Sequence, residues 1–156
     1  MKQIAIKVNT LIEPLRMVAH KIGVPVFDLA IRIYMANIFW KSGILKFQNF
    51  LNDDWGSTVF LFEEIHPLPG LAPNVAAVAG TVGELVLPIL LAFGLFGRLG
   101  AIGLLVMTAA IQFLIPAEYE MQNHEHYFWM FLLAAIAVRG SGLISLDTLL
   151  LKWIKN

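Results

Sequence analysis

The sequence contains no cysteine. That absence removes disulfides, thiolate catalysis, cysteine-ligated zinc and cysteine-ligated iron–sulfur clusters from the chemistry these residues can do alone. Redox work would need a bound cofactor or a partner. Charge is scarce as well: 14% of residues are Asp, Glu, Lys or Arg, against about 25% in a soluble domain. The formal net charge is zero, so no electrostatic footprint for nucleic acid exists. Residues 1–19 do not read as a secretory leader, because Lys7, Asn9, Glu13, Pro14 and Arg16 interrupt any apolar run.

What is abundant is apolar surface. Hydrophobic residues make up 58% of the chain and the mean hydropathy is +0.74, whereas soluble domains are about 45–50% apolar. The 156 residues suit a single membrane domain, 1–156. Four apolar segments stand out, about 24–45, 72–96, 98–115 and 126–144. A membrane-spanning helix needs about 20 such residues, with a range of about 17–25. The fourth reaches that length only if Arg139 snorkels and the helix runs on through residues 140–144. Ahead of the first span, Ile4, Val8, Leu11, Leu15, Val18 and Ile22 recur at helical spacing between basic residues. This predicts a helix over about 4–22 lying in the membrane interface, with a mobile tail as the alternative.

The expected fold is therefore all-α, a four-transmembrane-helix bundle with an N-terminal interfacial helix. Four spans put both termini on one side. Lys2, Lys7, Arg16, Lys21, Arg98, Arg139, Lys152 and Lys155 fall there, against Lys41 and Lys46 on the other. The bias predicts cytoplasmic termini in a multi-pass protein of the inner membrane, with the lipid bilayer as its first partner.

Within the second segment, TVGELVLPILLAFG places Glu84 among small and apolar residues. An ionised carboxylate buried there is costly unless a partner or a function offsets the cost. Arg32 in the first segment is one candidate partner, and Lys46, Lys41, Tyr34 and Gln112 are others. Pro88 cannot donate to the carbonyl four residues earlier, which belongs to Glu84 itself. One reading makes Glu84 neutral or paired glue between helices. The other makes it a ligand, proton or catalytic site. Gly80 and Gly83 would let a helix or a ligand come close.

A second cluster sits at the head of the fourth segment. His124, Glu125 and His126, with His66 and Glu118 or Glu120 as further candidates, offer imidazole and carboxylate for copper, zinc or iron. Histidines two apart do not share a helix face, so a metal ion would need them on a turn. The same residues also suit a quinone pocket, in which His124 or His126 bonds a quinone oxygen between Phe39, Trp40, Tyr127 and Trp129. Plain interfacial histidines are the third reading.

Four stretches resemble the DoxX family of small membrane proteins: FWKSGILKF at 39–47, TVFLFEEIHPLPGLAP at 58–73, GTVGELVLPILLAFGLFGRLGAIGLL at 80–105 and NHEHYFWMFLLAAIAVRGSGLISLD at 123–147. The resemblance implies a four-helix membrane fold. The family includes a small membrane subunit of thiosulfate:quinone oxidoreductase, and the 58–73 stretch looks like that of members accompanying biosynthesis of modified metal-binding peptides. Trp40, Gly43, Lys46, Glu84, Arg98 and the closure at 145–147 match the family's pattern, and Ser145 or Asp147 reads as the cap of a short last helix at 148–154. The resemblance thereby implies an accessory or quinone-facing subunit of a membrane redox or peptide-maturation system, acting with a membrane or peripheral partner protein. The alternative is a non-catalytic scaffold that anchors a partner enzyme.

Overall fold

The computed structural model describes residues 1–65, 67–115 and 122–155, and every regular element among them is helical. Helix α1 (Lys2–Val18) passes through one π-helical turn (Ala19–Gly23) into α2 (Val24–Leu51). The expected helix at 4–22 is present, but nothing separates it from the next. At the junction the Val24 N–H reaches back to Ala19 O, and Pro25, which has no N–H to give, follows. α1 leaves Leu11, Leu15 and Val18 exposed.

α2 packs along α4 (Pro73–Phe93), α4 against α5 (Gly97–Phe113), and α5 against α6 (His124–Arg139), which returns to α2. Met35, Phe39, Leu91, Leu104, Leu133 and Ile136 fill the space between them. The outward faces stay apolar, with Val82, Val86, Phe93, Ile102, Val106 and Phe131 all exposed. Patches of that extent call for a covering. Two helices, Asn9–Leu51 and Pro73–Phe93, are long and apolar enough to cross a membrane, and Gly97–Phe113 is apolar but shorter. A short α3 (Trp55–Phe60) and a π turn (Leu61–Ile65) lie across α2 and α4. Asn49 Nδ2 donates to Thr58 Oγ1 and Trp55 Nε1 to Asn74 Oδ1, tying this crossing segment to both helices.

Three boundaries differ from expectation. α2 outruns the segment at 24–45 and ends at Leu51, so Lys46 is a helical residue facing the bundle. α6 stops at Arg139 and does not continue through 144. Gly140 (φ +88°) and Gly142 (φ +74°) take backbone conformations that a helix cannot hold. The last helix, α7, spans Leu146–Lys155. Ser145 Oγ accepts from the Thr148 N–H and caps it. Asp147 is occupied elsewhere. Its Oδ1 and Oδ2 accept from the N–H groups of Phe96 and Gly97 at 2.8 and 3.2 Å, holding the α4–α5 turn. α4 itself ends at left-handed Gly94 (φ +62°), where Gly94 and Leu95 N–H bond back to Leu91 and Leu90 carbonyls.

Candidate functional site

Glu84 lies in the middle of α4 and meets Lys46 of α2. Lys46 Nζ stands 2.7 Å from Glu84 Oε2, and both side chains are about nine-tenths buried. Lys46 Nζ also donates to Ser42 Oγ, one turn back on its own helix, at 2.7 Å. An ammonium has three hydrogens to give, so one is left uncommitted among the described residues. On the acid, Oε1 takes no hydrogen bond among the described residues.

The pair exists because α2 and α4 come unusually close at this level. A Cβ on Gly43 would stand 2.9 Å from both the carbonyl carbon and oxygen of Glu84. Pro88 leaves that carbonyl without its helical donor, and Gly43 offers it a face with no side chain. The glycines singled out on α4 are used for packing. A Cβ on Gly80 would meet the Phe62 ring at 2.7 Å, and one on Gly83 would meet Met107 Sδ at 3.0 Å.

Lys46 and Glu84 line a cavity of about 520 Å³ between α2, α4, α5 and the crossing segment. Apart from Ser42 its other walls are apolar, among them Leu45, Phe62, Leu71, Val106, Met107 and Ile111. A largely apolar pocket with a few convergent polar groups is the usual form of a small-molecule site.

Arg32 takes no part in it. With Gly43 opposite Glu84, Arg32 is eleven residues along α2, roughly 16 Å at about 1.5 Å per residue. There it is fully buried against the last turn of α4. Its Nη1 donates to the carbonyls of Leu91 (3.2 Å) and Ala92 (3.0 Å), and its Nη2 to that of Ile144. The partial negative charge of a helix C-terminus serves as its counter-charge. Arg32 thus joins α2 to α4 and to the chain entering α7. Lys41 and Tyr34 face outward.

Gln112 belongs to a third place. Its Oε1 accepts from the Asn123 N–H at 3.2 Å and stands 2.8 Å from His126 Nδ1, and its Nε2 donates to Tyr127 Oη at 3.3 Å. Because Oε1 accepts, His126 Nδ1 is the protonated ring nitrogen. The His126 ring packs on Trp129, with centroids 5.1 Å apart, and Trp129 meets Phe39 edge-on at 6.1 Å. Phe39 and Trp129 thus lie in one aromatic row with His126. Trp40, one residue on from Phe39, turns to the other face of α2 and lines a shallow groove with Ile33, Pro88 and Phe93. His124 and Glu125 are exposed at the start of α6, where Asn123 Oδ1 caps the helix through the Glu125 N–H. No group of three metal-ligating side chains converges among the described residues. His66, Glu118 and Glu120 lie outside them.

Gly43 is a close-packing position whose cause sequence reasoning misses. The motif FWKSGILKF contains it without explaining it. The signal in the sequence is that Gly43 is the one glycine within α2, and a Cβ there would stand 2.9 Å from the Glu84 carbonyl.

A profile of the DoxX family matches residues 27–117, which takes in α2, the crossing segment, α4 and α5. No curated protein matches the chain. No solved structure matches it either.

Proposed function

This chain belongs to the DoxX family of membrane proteins, and we propose that it is a quinone-facing or accessory subunit of a membrane redox or metal-binding-peptide maturation system. In this reading α2, α4, α5 and α6 are four spans of the inner membrane, and both termini are cytoplasmic. The observation that carries it is the cavity at the Lys46–Glu84 pair. Among the described residues, one uncommitted ammonium hydrogen and one uncommitted carboxylate oxygen stand at the wall of a largely apolar space. A quinone carbonyl accepts from the first, a quinol hydroxyl donates to the second, and an isoprenoid tail suits the apolar walls. A fatty-acid anion would meet the Glu84 carboxylate, and an organic cation would meet the Lys46 ammonium. The pair thus favours a neutral head group that can both give and accept hydrogen bonds.

The test is binding of decylubiquinone or a short-chain menaquinone to the purified protein in detergent, followed by titration calorimetry and thermal melting. The expected result is saturable binding that weakens about tenfold on Glu84→Gln, the usual scale for a lost charge-assisted hydrogen bond. Protein that carries no extractable quinone and whose melting neither compound shifts would refute the quinone reading.

One observation favours a second reading. α1 continues straight out of α2 with an exposed row of Leu11, Leu15 and Val18. A scaffold that holds a partner enzyme would use such an arm. Deleting residues 1–18 separates the readings: a scaffold loses its partner, whereas quinone binding at the cavity survives.

A further inference from the structure

A second cavity lies at the opposite end of the bundle from the Lys46–Glu84 pair. It measures about 780 Å³ and runs between α7, the start of α2 and the α4–α5 turn. Its walls are largely apolar, with Pro25, Phe96, Leu150, Leu151 and Ile154 among them, and its rim carries two guanidinium groups, Arg98 of α5 and Arg139 of α6. Arg98 lies beside the backbone next to Arg139: a Cβ built on Gly140 would stand 3.2 Å from Arg98 Nε. Both arginines are exposed.

Two acids, Asp28 and Asp147, line the same cavity, and the rim cation they leave without an ion pair among the described residues is Arg98. Asp28 pairs with Arg139 at 3.2 Å. Asp147 is taken up by the Phe96 and Gly97 N–H groups and by Ser141 Oγ. Arg98 enters no ion pair among the described residues, and its Nη2 makes one long bond of 3.4 Å to the Val138 carbonyl. α7 adds Lys152 and Lys155, both exposed, beside an exposed Trp153. Basic residues next to an interfacial tryptophan are the pattern of a helix at headgroup level.

We propose that this groove binds an acidic phospholipid, with its phosphate between Arg98 and Arg139 and an acyl chain along Phe96, Leu150 and Ile154. Guanidinium groups suit phosphate oxygens through paired N–H donors. The apolar walls remove acyl carbon from water. Arg98, Arg139, Lys152 and Lys155 outnumber Asp28 and Asp147 around the groove, which favours an acidic headgroup over a zwitterionic one. This site is independent of whatever occupies the cavity at Glu84.

The experiment uses the full chain in detergent, incubated with phosphatidylglycerol or phosphatidylcholine, and counts retained lipid by native mass spectrometry. Phosphatidylglycerol is expected to be retained in preference. Arg98→Gln should weaken its binding about fivefold, the scale of one basic side chain near an anionic lipid surface, with the melting temperature unchanged because Arg98 holds no ion pair among the described residues. Arg139→Lys keeps the charge facing Asp28 and should weaken binding less than Arg139→Gln. Equal retention of the two lipids, or an Arg98→Gln protein that holds phosphatidylglycerol like the wild type, would overturn the proposal. Millimolar inorganic phosphate that displaces the lipid fully would also overturn it, by showing a site for the free anion without an acyl chain.

Discussion

Replacing Glu84 by glutamine leaves the shape of α4 intact and withdraws one charge from the Lys46–Glu84 pair. The two side chains are 10% and 9% exposed and 2.7 Å apart, so much of the lost interaction goes uncompensated. Breaking a buried pair from one side costs on the order of 3–5 kcal/mol, because the remaining charge stays buried without compensation. Two features place Glu84→Gln at the lower end of that range. The glutamine carbonyl can still accept from Lys46, and Ser42 Oγ holds Lys46 Nζ at 2.7 Å. Lys46→Met, which strands the carboxylate in the cavity wall, should cost more. The double variant Lys46→Met with Glu84→Leu removes both desolvation penalties and should return to within about 1 kcal/mol of wild type or exceed it. In a cycle of Lys46→Met, Glu84→Leu and their double, two single losses of about 3 kcal/mol or more against a double loss of about 1 kcal/mol give a coupling of about 5 kcal/mol or more. The assay is reversible unfolding in mixed micelles, followed by circular dichroism for wild type, Lys46→Met, Glu84→Leu and their double, with Glu84→Gln measured beside them. Single losses below about 1 kcal/mol that simply add in the double variant would refute the reasoning. They would mean that the pair is hydrated and that the cavity wall is not the dry site its geometry describes.

Other perturbations test other joints of the fold. Gly43→Ala drives a methyl into the backbone of Glu84, where no flexible side chain can yield, and should cost about 1–3 kcal/mol as overpacking, read as a lower melting temperature with the Lys46–Glu84 coupling reduced. Arg32→Lys keeps the charge but cannot reach all three carbonyls at once, and should destabilise by about 2–3 kcal/mol, the scale of a lost charged hydrogen bond. Asp147→Ala frees the Phe96 and Gly97 N–H groups and should cost about 0.5–2 kcal/mol, with faster amide exchange at those two residues, while Asp147→Asn should restore the Phe96 bond. Reporters that work only in the cytoplasm, fused separately to each terminus, should both be active, and one silent terminus would contradict a four-span protein with its ends inside.

Helices are legible in this sequence, and so is the demand that Glu84 have a partner, because both follow from composition and from the cost of an isolated buried charge. The identity of that partner stays open between Arg32 and Lys46 at the level of sequence, and the reason is one of register. Depth measured from the edges of apolar runs puts Arg32 within reach and counts Lys46 as part of a loop. α2 instead runs on to Leu51, because residues 46–51 contain neither proline nor glycine to stop it, and Asn49 is held by Thr58 of the crossing segment. Helix–helix register is then decided at one contact. Pro88 withholds a hydrogen bond from the Glu84 carbonyl, and a Cβ on Gly43 would stand 2.9 Å from that carbonyl, so a glycine is what lets α2 come this close to α4. Once Gly43 faces Glu84, Lys46 comes three residues later on the same face of α2, and Arg32 is carried to the far end of α4, where helix-end carbonyls take the place of an acid. A proline, a glycine and the spacing of three between Gly43 and Lys46 therefore select which cation meets the carboxylate.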